Sequence, residues 1–246
     1  MDVPILFEDE YFLVVDKPFG IVVNRSVHSP NNTLADWSEN YLQLNTLEED
    51  NASSFIQRAG IVHRLDKETS GVILIAKDAH TFAKLQREFL NRKVIKHYLA
   101  LVHGNVTSDE GEINAPVGRL PWNRMRFGVL PQGRDAVTMY KVLARYQQRS
   151  MLLSYLSVTP RTGRTHQIRI HLAYCGHTIV SDPLYAGRKV LRQDLLLCPR
   201  MFLHATSLQF SHPVTGNPIT IQSPLQKDLQ NVLTHLSRKT YNQVKN

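Results

Sequence analysis

The stretch HRLDKETSGVILIAK, residues 63–77, places a highly charged turn directly before an apolar run. Residues 71–76 are continuously apolar, and this pattern predicts a strand buried on both faces. In the turn, Asp66 has Arg64 before it and Lys67 after it, and nearby cations favour the ionised form of a carboxyl group. Asp66 is therefore expected to be charged at neutral pH and available as a nucleophile or charge stabiliser. The alternative is an aspartate that caps the turn and pairs with an arginine.

Hydrophobic periodicity predicts further strands and helices on both sides of this stretch. Strands are expected over residues 11–17, 19–23, 95–104, 136–146, 151–158 and 202–210, with the fourth and fifth forming a hairpin. Helices are expected over residues 33–44, 79–93 and 224–236, the first two capped by Thr33 and Asp78, and a loop is expected over residues 47–54. Strands and helices do not alternate regularly, so a single α+β domain over residues 1–246 is predicted, with a mixed, mostly antiparallel sheet, flanking helices and long loops.

The composition is that of a globular protein with a surplus of positive charge. Hydrophobic residues make up 42% of the 246 residues, enough for a sizeable core, which excludes intrinsic disorder and low-complexity architectures. There are 29 lysines and arginines against 21 acids, and the formal charge of +8 raises the expectation of a polyanionic partner. No run approaches the roughly 18 apolar residues that a membrane span needs, and the acidic start is unlike a signal peptide.

Cysteines and histidines predict neither a disulfide framework nor a metal site. Cys175 and Cys198 are too few and too far apart for a disulfide scaffold or a Cys-x-x-Cys zinc knuckle. Residues 160–177 contain three histidines but no acid and no His-Glu-x-x-His pattern. A reducing, cytoplasmic compartment is the expectation that follows.

A cationic segment, RLPWNRMRFGVLPQGR, covers residues 119–134. It has no acid, it is broken by prolines and glycines, and its notable side chains are Arg119, Arg124, Arg126, Arg134, Trp122 and Phe127. One interpretation is an irregular surface hairpin whose arginines are solvated. The other is a mobile arm that grips phosphates and stacks on bases, because arginines and aromatic rings together hold flexible nucleic acid.

Two further polar positions interrupt apolar surroundings. Residues 160–177 have a periodicity that fits either an alternating strand or a helix of about three turns ending near Gly176. Within them, the alternative to a functional Arg164 is a solvated turn residue. Tyr98 lies in the strand predicted over residues 95–104, where a core tyrosine with a satisfied hydroxyl is the alternative to a functional one.

These motifs together resemble the RluA family of pseudouridine synthases, which isomerise uridine to pseudouridine within an RNA chain. HRLDKETSG resembles the signature of that family, and the likeness continues along nearly the whole chain. The other matching segments, in the family's order, are EDEYFLVVDKPFGIVV, KHYLALVHG, GRDAVTMYKVL, TPRTGRTHQIRIHLAYCGHTIVSDPLYAG and FLHATSLQFSHPVTG. Several separate motifs in one order are more specific than any one of them.

The resemblance implies roles for individual residues. It implies that Asp66 is the catalytic aspartate, that Tyr98 packs against the target base and that Arg164 forms an ion pair with the aspartate. Arg64 is implied to fill the space left by the flipped uridine. The segment 119–134 falls where the family has an RNA-gripping insertion. Contacts with RNA are accordingly expected at Arg119, Arg124 and Arg126 of this segment, and they are also expected at Arg64 and Arg169.

The predicted function is that of an RNA pseudouridine synthase acting on specific uridines of ribosomal or transfer RNA, with no membrane and no obligatory protein partner. Isomerisation involves no redox change and no transfer of a group to another molecule, so no cofactor and no metal is expected. One alternative is a non-catalytic RNA-binding or remodelling module on the same fold. Another is a metal-dependent nuclease built on Asp66 and the histidines.

The first motif departs from the family pattern. The chain starts almost directly at this motif, so we expect no S4-like RNA-binding domain and expect the catalytic domain's own loops to hold the RNA. Asp16 stands where asparagine is more usual, and Phe19 stands where serine is common. The resemblance therefore leaves the subfamily and the particular target uridine open.

Overall fold

The computed structural model describes residues 1–27, 29–44, 54–148 and 151–236, with the backbone alone at residues 124 and 125. Its strands are β1 (Ile5–Glu8), β2 (Phe12–Lys17), β3 (Ser70–Ala76), β4 (Ile95–His103), β5 (Glu110–Asn114), β6 (Val117–Leu120), β7 (Asn123–Val129), β8 (Val137–Gln148), β9 (Met151–Pro160), β10 (Leu203–Ser211) and β11 (Pro218–Gln222). Its helices are α1 (Leu34–Tyr41), α2 (Ser54–Gln57), α3 (Ala79–Leu90), α4 (Gln167–Tyr174), α5 (Arg188–Asp194) and α6 (Lys227–Thr234). The α+β class predicted from the sequence is confirmed.

Two compact units make up the chain. The first contains Met1–His97 and His204–Pro224, and the second contains Tyr98–Leu203 and Leu225–Asn246. The single domain over residues 1–246 stays a prediction.

The first unit is built on a mixed sheet with the strand order β1-β2-β3-β10-β11. Neighbouring strands are antiparallel except β3 and β10, which are parallel and pair Ser70 with His204 and Gly71 with Ala205. Every residue of β3 is buried, as the apolar run predicted. Gly71 has φ +116°, and a Cβ there would lie 2.1 Å from the carbonyl oxygen of Ala205. This strand pairing therefore requires glycine.

The second unit has an antiparallel sheet in the order β4-β9-β8-β5. The pairing of β8 with β9 confirms the hairpin that the sequence predicted. A buried apolar core joins this sheet to α4 and α6, and its members include Leu101, Leu156, Leu172, Phe202 and Leu229. Strands β6 and β7 form a separate two-stranded sheet.

Local sequence explains where the helices begin. The Thr33 hydroxyl accepts a hydrogen bond from the N–H of Asp36, and the Asp36 carboxylate accepts one from the N–H of Thr33, which forms a capping box at α1. The carboxylate of Asp78 accepts from the N–H of Thr81 at 2.9 Å and caps α3. Both N-caps confirm the predictions, and α6 lies within the helix predicted near the C-terminus.

The segment with ambiguous periodicity forms the end of β9 and helix α4. The helix ends in a Schellman motif, in which the N–H of His177 donates to the Leu172 carbonyl at 2.8 Å. The N–H of Gly176 donates to the Ala173 carbonyl at 3.0 Å. Gly176 has φ +81°, the left-handed conformation that this motif requires. The helical interpretation is therefore the correct one.

One predicted strand is wrong, and one predicted loop is more regular than expected. Residues 19–23 form no strand, because Gly20 turns the chain with φ +84° and the carbonyls of Val22 and Val23 accept hydrogen bonds from the start of α1. Residues 119–134 contain most of a β-hairpin, because β6 and β7 pair from Val117 with Val129 to Leu120 with Asn123, with a register shift between Arg119 and Leu120.

Besides β6 and β7, five short elements of the described residues escaped prediction, namely β1, α2, β5, α5 and β11. Each has four to seven residues, too few for a clear hydrophobic period. The loop predicted over residues 47–54 lies outside the described residues apart from Ser54, which begins α2. None of the described helices is long and apolar enough to cross a bilayer.

Candidate functional site

The turn before β3 carries Asp66 at the surface of the first unit. The N–H of Thr69 donates to the Asp66 carbonyl at 3.1 Å and closes the turn. Leu65 is buried beneath it, whereas Arg64 and Lys67 are exposed and Asp66 is half-buried. The one apolar residue of the turn thus holds it to the core, and the charged residues face outward.

His63 attaches the start of this turn to the body of the first unit. Its Nε2 accepts a hydrogen bond from the N–H of Leu74 at 3.0 Å, which leaves the ring proton on Nδ1. Its ring stacks on Phe89 of α3, with centroids 4.7 Å apart. Burial lowers the pKa of His63 to about 3, and the ammonium of Lys96 acts in the same direction. His63 is therefore neutral at pH 7, as an acceptor at Nε2 must be.

Lys17 holds the middle of the Asp66 turn. Its Nζ donates to the carbonyls of Pro18 at 2.8 Å, Ile21 at 2.9 Å and Lys67 at 3.4 Å. The N–H of Gly20 donates to the same Lys67 carbonyl at 2.9 Å. Burying an ammonium costs free energy unless its donors are satisfied, and these carbonyls account for a completely buried lysine. Nothing in the sequence marks Lys17 as buried.

A buried polar network holds the end of the turn. The Nε2 of His204 lies 3.2 Å from the Ser223 carbonyl, to which it donates. Its Nδ1 then accepts from the hydroxyl of Ser70, 2.9 Å away, at the first residue of β3. All three residues are buried. The Asp66 turn is thus anchored at its start, middle and end within the first unit.

Tyr98 begins the part of β4 that belongs to the second unit. It pairs with Val158 of β9, and its ring packs at the edge of the apolar core while remaining partly exposed. Its place against the core fits the alternative of a core tyrosine, and the functional role of Tyr98 stays a prediction. The exposed part is what a flat ligand can contact.

The turn that carries Arg164 is built around the side chain of Gln167. The Gln167 Oε1 accepts from the N–H of Arg164 at 3.0 Å and from the hydroxyl of Thr162 at 2.7 Å. Its Nε2 donates to the Val137 carbonyl at 3.0 Å. The Arg164 Nε donates to the Asp135 carbonyl at 3.1 Å. Arg164 is therefore a partly buried cation with a defined orientation.

The position of Arg169 corrects the prediction that this residue contacts RNA. Its Nε and Nη2 donate to the two carboxylate oxygens of Asp182, each at 2.8 Å, and neither side chain has exposed surface. The guanidinium carbon also lies 5.3 Å from the ring centroid of Tyr185. The first six residues of α4 are all buried, so the helix has no outward face at this position. A fully buried guanidinium cannot reach RNA, and Arg169 instead stabilises the second unit.

The β6-β7 hairpin presents arginines and aromatic rings to solvent. Arg119 lies opposite Phe127 in the strand register, with its guanidinium carbon 4.9 Å from the ring centroid. Arg119 and Arg126 are exposed, and Trp122 at the turn is 77% exposed. Arg124 lies in β7, where its backbone alone is described. Exposed rings between cations suit the stacking of bases on a phosphate-binding surface.

Tyr185 attaches the hairpin to the start of α4. Its hydroxyl oxygen accepts from the N–H of Phe127 at 3.4 Å and lies 3.0 Å from Nδ1 of His166. The His166 ring is edge-on to the rings of Phe127 and Tyr185, with centroids 5.9 and 5.8 Å away. His166 is the N-cap of α4 and follows Arg164 by two residues. One tyrosine therefore links the hairpin to the Arg164 turn.

Charge is divided unequally between the two units. The second unit contains 18 of the 29 lysines and arginines and 7 of the 21 acids, which gives a formal charge of +11. The first unit contains the other 11 cations and 14 acids, a formal charge of −3. The whole positive surplus of the chain thus lies on the unit that carries the hairpin, and a polyanion is attracted there.

Within the described ranges, no three histidine, cysteine, aspartate or glutamate side chains are grouped as metal ligands would be. Cys175 and Cys198 are free thiols. Burial raises the pKa of Cys198 to about 11, so this thiol is protonated and unreactive at pH 7.

Residues 11–174 match the family described as RNA pseudouridylate synthase. The ribosomal large subunit pseudouridine synthase D of Xanthomonas campestris is 39% identical over 245 residues, covering 96% of this chain and 70% of that protein. The protein of the same name from Pseudomonas aeruginosa is 38% identical over 236 residues. This alignment covers 93% of this chain and 70% of that protein. A solved structure, Human RNA Pseudouridylate Synthase Domain Containing 1, superimposes with a TM-score of 0.74 at 25% identity, over 97% of this chain and 89% of that one.

The family match, the fold and the sequence motifs all indicate a pseudouridine synthase. The α+β architecture is that of the pseudouridine synthases, and the likeness to relatives extends over nearly the full chain. The chain therefore belongs to the RNA pseudouridylate synthase family. It is an isomerase that converts uridine to pseudouridine in RNA.

Proposed function

We propose that this enzyme modifies uridines of ribosomal RNA, in the cytoplasm, with Asp66 as its catalytic residue. The observation that carries the proposal is the Asp66 turn, which is anchored at three points while Asp66 itself remains half-buried. Catalysis needs a group held in one position before the substrate arrives. The two bacterial relatives are named for the ribosomal large subunit, and this favours ribosomal over transfer RNA as substrate.

The reaction defines what Asp66 has to do. The N1–C1′ bond of uridine breaks, the uracil rotates, a bond forms between C5 and C1′, N1 gains a proton and C5 loses one to water. A carboxylate serves this sequence by adding to the uracil or the ribose, or by acting as a base at the sugar. Each role requires an ionised Asp66 beside the flipped nucleotide. We assign that position to the Asp66 turn.

Base flipping is the second requirement, and we assign it to Arg64. Removing a base from the stack costs a few kcal/mol, and a side chain that takes the vacated place offsets part of this cost. Arg64 is exposed two residues before Asp66 on the anchored turn. Its planar guanidinium can stack between neighbouring bases.

We further propose that Tyr98 packs against the target base and that Arg164 forms an ion pair with Asp66. The partly exposed ring of Tyr98 and the oriented guanidinium of Arg164 support these roles. A guanidinium has five N–H donors, so the Arg164 Nε bond to the Asp135 carbonyl leaves capacity for a carboxylate.

Substrate grip is assigned to the hairpin arginines Arg119, Arg124 and Arg126, with Trp122 as a stacking ring. The charge of +11 on the second unit supports this assignment, because phosphate neutralisation dominates affinity for RNA. The competing substrate is transfer RNA, for which the same surface would suffice.

Release of tritium from RNA labelled at C5 of uridine separates these substrates, because joining C5 to the ribose expels that hydrogen into water. Ribosomal and transfer RNA from cells lacking the enzyme are offered separately. The proposal predicts release from ribosomal RNA. Release from neither RNA, or from transfer RNA alone, would contradict the proposed substrate.

A further inference from the structure

Helix α5 carries a cationic face outside the predicted RNA-binding segment. Arg188, Lys189 and Arg192 are all exposed. Residues three and four apart are neighbours on the surface of a helix, so Arg192 lies beside both of the others. These three cations therefore form one cluster on the outward side of α5.

The acid of α5 faces the opposite way. Asp194 is completely buried, and its Oδ2 lies 3.0 Å from Nε2 of His103 and accepts from the N–H of Ser181 at 2.9 Å. No aspartate or glutamate occurs in residues 183–193. The outward side of α5 thus has no acid of its own to offset its three cations.

A series of hydrogen bonds connects the turn before α5 to the β6-β7 hairpin. Oδ1 of Asp182, the partner of Arg169, accepts from the N–H of Leu184 at 2.8 Å and from the N–H of Tyr185 at 3.1 Å. This turn positions Tyr185, whose hydroxyl accepts from the N–H of Phe127 in β7. Helix α5 begins three residues after Tyr185, so its first Cα lies within about 11 Å of that anchor.

We propose that the outward face of α5 binds phosphates of the RNA substrate and forms one binding surface with the β6-β7 hairpin. The inference rests on the proposed function and deepens it. RNA fits better than an acidic protein, because the neighbouring hairpin combines exposed arginines with an exposed tryptophan ring. Tyr185 keeps α5 and the β6-β7 hairpin close together, because its hydroxyl contacts the hairpin and α5 begins three residues after it.

The test measures how the affinity for a large-subunit ribosomal RNA transcript depends on salt concentration. The variant Lys189→Gln/Arg192→Gln removes two cations from α5. The matched control Lys141→Gln/Lys227→Gln removes two exposed cations from β8 and α6 of the same unit. Arg119→Gln/Arg126→Gln serves as the reference for the hairpin. Each lost phosphate contact lowers the slope of log K against log salt by roughly 0.7 to 0.9.

The proposal predicts a slope smaller by roughly 1.4 to 1.8 for the α5 variant and a wild-type slope for the control. A wild-type slope for the α5 variant, or an equally reduced slope for the control, overturns the proposal. The cationic face of α5 would then be assigned to another partner, such as an acidic protein. Tritium release by the wild-type enzyme is measured in parallel. Release from ribosomal RNA together with an unchanged α5 slope rejects the α5 site alone, whereas the slope difference without release from ribosomal RNA rejects the proposed substrate alone.

Discussion

Arg169 and Asp182 form a bidentate ion pair that has no exposed surface, with both N–O distances at 2.8 Å. The same carboxylate accepts the backbone N–H groups of Leu184 and Tyr185. The pair therefore joins α4 to the turn that positions Tyr185, and through Tyr185 to the hairpin. The buried Arg169–Asp182 pair thus helps to position the arginines of the β6-β7 hairpin on the surface of the second unit.

Replacing Asp182 with Asn should strongly destabilise the second unit. The change leaves the Arg169 guanidinium buried without its countercharge, and breaking such a pair costs about 3–5 kcal/mol. Urea unfolding at pH 7 measures the loss. The control is Asp109→Asn, which breaks the Arg145–Asp109 pair at a position where Asp109 is 83% exposed, and it should cost less than about 1 kcal/mol. Equal stabilities of the two variants would contradict a structural role for the buried pair.

Replacing Tyr185 with Phe should loosen the hairpin without unfolding the unit. The ring is kept, but the hydroxyl contacts with Phe127 and His166 are lost, at about 1 kcal/mol for a hydrogen bond. Trypsin cleavage after the hairpin arginines should become roughly fivefold faster, because cleavage follows the population of the open form. Tyr174→Phe, at a residue 65% exposed in α4, is the control. Cleavage at the wild-type rate in Tyr185→Phe would show that the hydroxyl does not anchor the hairpin.

His63 should make the enzyme less stable as the pH falls below about 6.5. Its pKa in the folded protein is about 3, below its ordinary value of 6.5, so protons bind the unfolded chain first. Its contribution to the free energy of unfolding is therefore complete above pH 6.5 and is lost progressively as the pH falls towards 3. In urea unfolding at pH 7 and pH 5, His63→Gln should show a smaller decline than the wild type.

His80, exposed on α3, provides the control for this pH dependence. His80→Gln should show the wild-type decline between pH 7 and pH 5. A decline in His63→Gln as large as that of the wild type would mean that His63 is not held neutral in the fold.

Short-range rules predicted the elements that carry the Asp66 turn. The apolar run of β3 identifies a strand buried on both faces, and Thr33 and Asp78 identify two helix starts through hydrogen bonds to residues three positions on. These interactions lie within a few residues of each other in the chain. Sequence patterns therefore report them directly.

Interactions between distant residues escaped prediction. In the sequence, Arg169 resembles a surface cation. The structure shows that Asp182, on a separate turn, is buried beside it as its partner. The Lys17 ammonium donates to the carbonyl of Ile21, within a stretch that was predicted as a strand, and to the carbonyl of Pro18 just before it. Tyr185 anchors the hairpin by accepting a hydrogen bond from the N–H of Phe127, which lies 58 residues earlier in the chain. Such partners are set by tertiary packing, which composition and periodicity do not encode.

Tritium release by Asp66→Asn tests the central claim most directly, because asparagine keeps the size of the side chain and removes its charge and nucleophilicity. Glu68→Gln is the control, since it removes one negative charge from the same turn. We expect no tritium release from ribosomal RNA by Asp66→Asn, affinity for the RNA within a few fold of the wild type, and release by Glu68→Gln. Release by Asp66→Asn at the wild-type rate would contradict the assignment of Asp66 as the catalytic residue.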